Sequence, residues 1–324
     1  MASEGPIRVL SLDGGGIRGV IPAAILIELE KLAGKPVFDL FDVVAGTSTG
    51  GLIATGLIAP DSSGAPKFTA GDLQGFYTKN GTQIFSRSTA YEVESLDGMH
   101  GPKYPADGID AFLHETFADL ELKDALKPLV MVSYDIERRN VHIFHSEAAK
   151  QDPNQNFFMR DSSRATSAAP TYFPPAHIQS SAGTTFALVD GGVAANDPAM
   201  AAYVQARRLF PDREILIVSI GTGSSVKPIP YDKAKGWGKL GWAERIVDVM
   251  FDGSTRTVDA NLQELLPKHT SGLREYYRFQ PSLKGANDAL DDTSPKNLQS
   301  LIDLATNYAN ERHVDLAELA DRLV

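Results

Sequence analysis

Three short stretches of the chain hold residue types that perform chemistry when they meet. Gly46-Thr47-Ser48-Thr49-Gly50 has the GxSxG spacing of a nucleophilic serine on a sharp turn. Upstream, Asp13-Gly14-Gly15-Gly16-Ile17-Arg18-Gly19 places three successive glycines where backbone N–H groups can converge on an anion. Far downstream, Asp190-Gly191-Gly192 ends the apolar run 185–189 with a carboxylate. A serine hydroxyl needs a base to take its proton, and a tetrahedral acyl intermediate needs donors for its oxyanion. Ser48, Asp190 and the glycines Gly14, Gly15 and Gly16 are the candidates for those roles.

The pentapeptide alone decides little, since on the order of 0.2 matches are expected by chance in a chain of this composition. Its context adds more. "FDVVAG" before it reads as a strand, and "GGLIATGLIA" after it as an apolar helix. That strand–turn–helix exposes a serine hydroxyl at a strained elbow, with a helix N-terminus adding partial positive charge beside it. Gly46 and Gly50 are small where such a turn closes on the sheet, and Thr49 opens the helix.

A nucleotide phosphate is the rival occupant of the first loop, because Gly14, Gly16 and Gly19 also form GxGxxG. A dinucleotide site requires an acid at the end of the second strand, about 20 residues on. Asp39 and Asp42 instead precede "VVAG", and "GTSTG" stands where the acid belongs. There is no GxxxxGK[ST], and the second GxGxxG, at Gly236, Gly238 and Gly241, follows no strand. The anion suited to this loop is a transient oxyanion, with Arg18 bracing the loop or attracting an anionic headgroup.

Histidine is the usual base, and in the order Ser…Asp…His either His269 or His313 follows Asp190. Both sit in polar settings, "LPKHTSG" and "NERHVDL", that read as exposed helix ends. Asp190 is the stronger candidate, because a carboxylate ending a buried strand can face Ser48 across the top of a sheet. It needs partial desolvation to become basic enough.

These groups require a scaffold. Residues 7–12 read as a buried strand, and Ile21, Ile25, Leu29 and Leu32 recur at helical spacing until Gly34 and Pro36. Thr69 and Asp72 form a capping box opening a helix through Tyr77, and residues 86–106 read as a long loop. "PLVMVSYDI" and "NVHIFHS" are adjacent strands, "TFALVDGG" and "EILIVSIGTG" further strands, and "EYYRF" an edge strand. "DPAMAAYVQARRLF" is a helix with Asp197 as cap and Pro198 at its first position. Helices follow near 238–265 and in a pair from Pro295. Trp242, Ile246, Val249 and Met250 share one helical face, which belongs either to a lid or to a helix closing the core. Strands alternating with helices predict a mixed, largely parallel α/β sheet covered on both faces. No linker divides the chain, so a single domain over 1–324 is expected, with a core at about 7–223 and a C-terminal helical part at about 238–324.

Composition narrows the classes. A net charge of −10 argues against a nucleic-acid partner and leaves lipid contact to local apolar surface. The absence of cysteine excludes disulfides and thiolate chemistry. Neither a signal peptide nor a run of about 20 apolar residues stands in the sequence, so a cytoplasmic protein is expected, soluble or peripherally bound to membrane.

"DGGGIRG", "GTSTG" and "DGG", in this order, resemble the signature of patatin-like phospholipases, and "GPKY", "VSYDI", "AAPTYFPP" and "SIGTG" are similar to stretches of plant patatins. The resemblance runs from about residue 7 to near the C-terminus. It implies a mixed α/β sheet related to cytosolic phospholipase A2 and a Ser–Asp dyad acting without histidine, metal or cofactor. Residue by residue, Ser48 matches the nucleophile, Asp190 the base and Gly14, Gly15 and Gly16 the oxyanion loop; Arg18, Gly19, Gly46, Thr49, Gly50, Gly191 and Gly192 support them. The implied substrates are glycerophospholipids, lysolipids or galactolipids, met through transient membrane contact. Some bacterial relatives are effectors activated by a cyclic dinucleotide, and a non-catalytic storage or binding protein is the remaining alternative.

Overall fold

The computed structural model describes residues 5–94, 101–225, 227–243, 245–266 and 275–324. Eight strands form one sheet among the described residues: β1 (Ile7–Leu12), β2 (Val43–Thr47), β3 (Leu129–Asp135), β4 (Asn140–His145), β5 (Ala176–Gln179), β6 (Thr185–Asp190), β7 (Ile215–Ile220) and β8 (Tyr276–Phe279). Their order is β5-β6-β3-β2-β1-β7-β8, with β4 also on β3. The run β3-β2-β1-β7-β8 is parallel, and β4, β5 and β6 pair antiparallel.

The central strands are apolar at successive positions because both faces are covered. Leu10, Leu12, Val44, Met131, Leu216 and Val218 join a core with helices α1 (Val20–Ala33), α2 (Thr49–Ile58), α3 (Ala70–Thr78) and α4 (Asp107–Phe117). The alternate residues Val9, Val43, Ala45, Val130, Ile215 and Ile217 form the opposite core. Beyond α5 (Met159–Thr166), the helices α6 (Ala199–Leu209) and α7 (Ile246–Leu265) cover that second face through Ala199, Ala202, Ala206 and Leu262. The helices α8 (Pro295–Glu311) and α9 (His313–Leu323) pack on α1. No described helix is long and apolar enough to cross a membrane.

Most elements lie where periodicity places them, and the Thr69–Asp72 capping box forms in full. The segment 86–106 departs from the loop reading, since a short helix occupies Thr89–Glu94; residues 95–100 lie outside the described residues. Ser88 accepts the Tyr91 N–H and the Tyr91 hydroxyl donates to the Pro102 carbonyl, contacts that leave no periodic trace. Helix α6 starts one residue later than expected. Pro198 is its cap, and Asp197 accepts the Ala199 N–H while serving a different partner.

That partner is Arg278, a charged residue inside the apolar strand β8. Its guanidinium donates to both oxygens of Asp13, at 2.8 and 2.5 Å, and to Ser219 Oγ at 2.6 Å. Asp197 Oδ2 lies 3.4 Å away. Asp197 also accepts from Ser11 and Ser219, both at 3.1 Å. Burial disfavours the guanidinium charge, but Asp13 and Asp197 outweigh it and hold the Arg278 pKa above its ordinary value. Removing the cation strands two buried carboxylates. Arg278→Met is therefore expected to lower unfolding free energy by about 3–5 kcal/mol, read by urea denaturation.

Candidate active site

Ser48 follows β2 directly and caps α2 with φ 55° and ψ −126°. A non-glycine residue at positive φ is strained, and the neighbourhood leaves it no alternative. A Cβ on Gly46 would lie 2.2 Å from the Gly50 carbonyl oxygen, and one on Gly50 would lie 2.1 Å from that of Leu12. The Ser48 N–H donates to Thr166 Oγ1 at 2.9 Å, and that hydroxyl donates to the Val132 carbonyl at 2.6 Å. Helix α5 thus anchors the elbow from the side.

Asp190 reaches Ser48 by a route that strand counting misses. Strand β6 is antiparallel to β3, so its C-terminal end would ordinarily lie at the sheet edge opposite the elbow. Strand β2 pairs with β3 only as far as Thr47 opposite Val132. Strand β6 enters along the same side from the other direction and stops with Asp190 opposite Ser133. The ends of β2 and β6 meet head to head, in consecutive registers of one strand. Gly191 then passes so close to β3 that a Cβ would lie 2.1 Å from the Val132 carbonyl oxygen.

Asp190 is fully buried and Ser48 nearly so. Burial pushes the Asp190 carboxyl up to about 7, opposed by the Ser48 hydroxyl and by the Gly192 N–H, which donates to Oδ1 at 2.7 Å. Oδ2 has no partner of ordinary hydrogen-bond geometry.

The glycine loop is divided. The Gly14 N–H donates to the Asn196 carbonyl at 3.0 Å, so Gly14 does not offer its donor to an oxyanion in this conformation, contrary to the sequence expectation. Gly15 and Gly16 N–H make no hydrogen bond within the described residues. Gly16 adopts φ 59°, and a Cβ there would lie 2.1 Å from the Leu290 carbonyl oxygen. The Gly14 role is structural: a Cβ would press on Asn196 and on Ser48 itself. Thr49 bonds the Tyr77 hydroxyl at 2.6 Å against Gly19, joining the loop to the elbow helix.

Two clefts adjoin at Tyr172, Phe251 and Leu290, and Ser48 lines one of them. One is an apolar slot lined by Leu52, Tyr77, Ile84, Phe85, Ile109 and Phe173. Its free space of about 40 Å³ admits roughly three waters, so a larger occupant must spread its walls. The other is a polar cavity of about 480 Å³ that shares Tyr172, Phe251 and Leu290 with the slot. Arg18 lines it, donating only through Nε to the Gly15 carbonyl at 3.3 Å and forming no ion pair among the described residues. Burial lowers its pKa, while Asp248 and Asp288 oppose that from a distance.

His313 is an exposed residue at the start of α9, and His269 lies outside the described residues. Among the described residues no group of three His, Asp or Glu side chains could hold a metal. Arg278, Thr166 and Asn196 were missed from sequence. The first carried one signal, a lone arginine in an apolar strand.

The family profile described as patatin-like phospholipase matches residues 10–203. The chain is 35% identical to patatin-like protein 2 of Oryza sativa subsp. indica, over 91% of this chain and 82% of that protein. It is 32% identical to patatin group J-1 of Solanum tuberosum, over 92% and 82%. The backbone resembles human GIVD cytosolic phospholipase A2 with a TM-score of 0.46 at 14% identity, covering 98% of this chain and 61% of the other.

The raised Asp190 pKa makes a linkage prediction. Between the ordinary carboxyl value and about 7 the unfolded state is ionised while the folded state keeps its proton, so burial of Asp190 costs stability progressively as pH rises. Above about 7 that cost is complete. Asp190→Asn should melt a few degrees above the parent at pH 8, and the difference should vanish toward pH 4; differential scanning calorimetry at several pH values tests this.

Proposed function

The chain belongs to the patatin-like phospholipases, and from that premise we propose that it hydrolyses lipid acyl esters through a Ser48–Asp190 dyad. One observation carries the reading: the strand leading to a strained serine ends head to head with the strand of a buried carboxylate whose pKa is raised to about 7, and the serine lines an apolar slot that adjoins a polar cleft. A base with that pKa is about half ionised at neutral pH and proton-hungry enough to assist a serine.

Ser48 Oγ attacks the ester carbonyl as Asp190 takes the hydroxyl proton. The oxyanion is held by the Gly15 and Gly16 N–H groups, with the N-terminus of α2 adding positive potential. Collapse breaks the bond to the alcohol, which leaves with the proton from Asp190. Water then attacks the acyl-enzyme, giving its proton to Asp190, and the second collapse frees Ser48 and the fatty acid as the proton returns. Dyad chemistry uses no histidine because the carboxylate itself acts as the base.

The acyl chain occupies the apolar slot and the remainder of the lipid the polar cleft. Arg18, charged and without an ion pair, favours a phosphate-bearing headgroup over the uncharged sugar of a galactolipid.

Ser48→Ala and Asp190→Ala should each abolish turnover of a short-chain p-nitrophenyl ester, with the double variant scarcely worse than either single one. His313→Ala or His269→Ala should change the rate by less than about tenfold, whereas loss of a true general base costs about 10²–10⁴. Near-normal turnover by Asp190→Ala would sink the dyad. The parent's kcat/KM should rise with pH through a midpoint near 7 and level off above it, because only ionised Asp190 accepts the proton. A flat profile down to pH 5 contradicts that assignment.

A further inference from the structure

Exposed apolar side chains are not scattered evenly over this molecule. Of the twelve large ones exposed among the described residues, six fall within 229–250: Ile229, Tyr231, Trp242, Ile246, Val249 and Met250. Ile246, Val249 and Met250 stand on one face of α7, and Trp242 lies one turn before Ile246. The opposite face, through Val247, Phe251 and Leu262, meets the protein. The helix therefore packs adequately without the outer residues, and the core-closing alternative for that face does not hold. An apolar cluster facing outward from a packed helix is a binding surface by default.

Its chemistry specifies the partner. Both tryptophans of the chain, Trp237 and Trp242, lie here with ring centroids 5.4 Å apart. The Arg245 guanidinium sits over the Trp237 ring at 4.7 Å. Residues 227–250 carry five Lys or Arg against three Asp or Glu, a net positive segment in a chain of net charge −10. Tryptophan beside lysine and arginine around an apolar centre is the composition that settles at the headgroup level of a bilayer. The patch is also continuous with the substrate cleft. Ile229, Trp237, Arg245 and Val249 form its rim, and the cleft leads inward to Ser48 through Phe251 and Leu290.

We infer that Ile229, Trp242, Ile246, Val249 and Met250, with the basic side chains among them, form a membrane-docking surface that seats the cleft mouth on a lipid bilayer. The inference rests on the proposed lipid substrate, since a phospholipid leaving the bilayer enters the cleft through this rim. Apolar side chains insert between headgroups while Lys233 and Lys239 meet lipid phosphates; Lys227 and Lys235 pair with Asp288 and Asp232. The strongly acidic remainder of the protein is held off, which orients the molecule.

Intrinsic fluorescence tests this directly, because every tryptophan of the chain lies in the patch. Wild-type protein is titrated with vesicles of ether-linked phosphatidylcholine and phosphatidylglycerol, which cannot be hydrolysed. A blue shift of tryptophan emission, and quenching by lipids brominated near the headgroup, are expected. Ile246→Glu and Met250→Glu should weaken vesicle partition at least ~10-fold while melting temperature and p-nitrophenyl ester turnover stay unchanged. Unquenched tryptophans in the wild type overturn the proposal, with no variant needed. So does a partition insensitive to both substitutions. Analytical ultracentrifugation showing a dimer that Ile246→Glu dissociates overturns it as well, assigning the surface to a second copy of the chain. Docking on ether lipid is read apart from chemistry, so failure of the dyad, seen as turnover by Ser48→Ala, remains distinguishable from failure of the docking surface.

Discussion

Arg278 lies largely buried between Asp13 and Asp197, and this three-centre charge contact ties together the segments around Ser48 and Asp190. Asp13 opens the glycine loop after β1. Asp197 ends the segment that begins at Asp190. Between them that segment runs from β6 toward β7: Gly191 lies against β3, the Ala195 carbonyl accepts the Thr47 hydroxyl, and the Asn196 carbonyl accepts the Gly14 N–H. One strap thus contacts the ends of β3, β2 and β1 in turn. A cation is required at its far end because two carboxylates cannot be buried side by side without one.

With that frame rigid, the molecule sustains features that are unfavourable locally. Ser48 keeps a backbone conformation costing about 1–3 kcal/mol, and Asp190 is buried without a cation beside it. The same burial that weakens the fold makes the carboxylate a better base. Gly46, Gly50 and Gly191 serve this arrangement by absence: backbone occupies the space their side chains would fill. Stability and reactivity are opposed at these positions, and two large apolar cores offset the difference.

The two clefts extend the same logic outward. An apolar slot that holds the Ser48 hydroxyl, adjoined by a polar cavity, suits a molecule with an apolar end and a polar end. Tyr172, Phe251 and Leu290 line both, so they divide one region from the other. Phe251 belongs to α7, whose outer face carries Ile246 and Met250. A single helix therefore links the wall of the cleft to the exposed apolar surface.

The motifs were legible in the sequence because they depend on local geometry. GxSxG after an apolar strand announces an elbow, since only glycine tolerates backbone at that distance, and the capping box at Thr69 and Asp72 is a contact within one turn. Strands and most helices followed from periodicity for the same reason. What tertiary structure alone decided is how distant residues meet. Asp190 and Ser48 are 142 positions apart in the numbering, and they come near each other because β2 and β6 end head to head beside β3, an antiparallel arrangement that the strand's own residues do not encode. The sequence offered Gly14, Gly15 and Gly16 as equal donors, and only the fold assigned the Gly14 N–H to Asn196. Arg278 looked like one polar residue in an edge strand until Asp13 and Asp197 were brought to it. Local propensity depends on a few neighbouring residues, whereas burial of a charge, and so its pKa and partners, depends on the whole packed assembly.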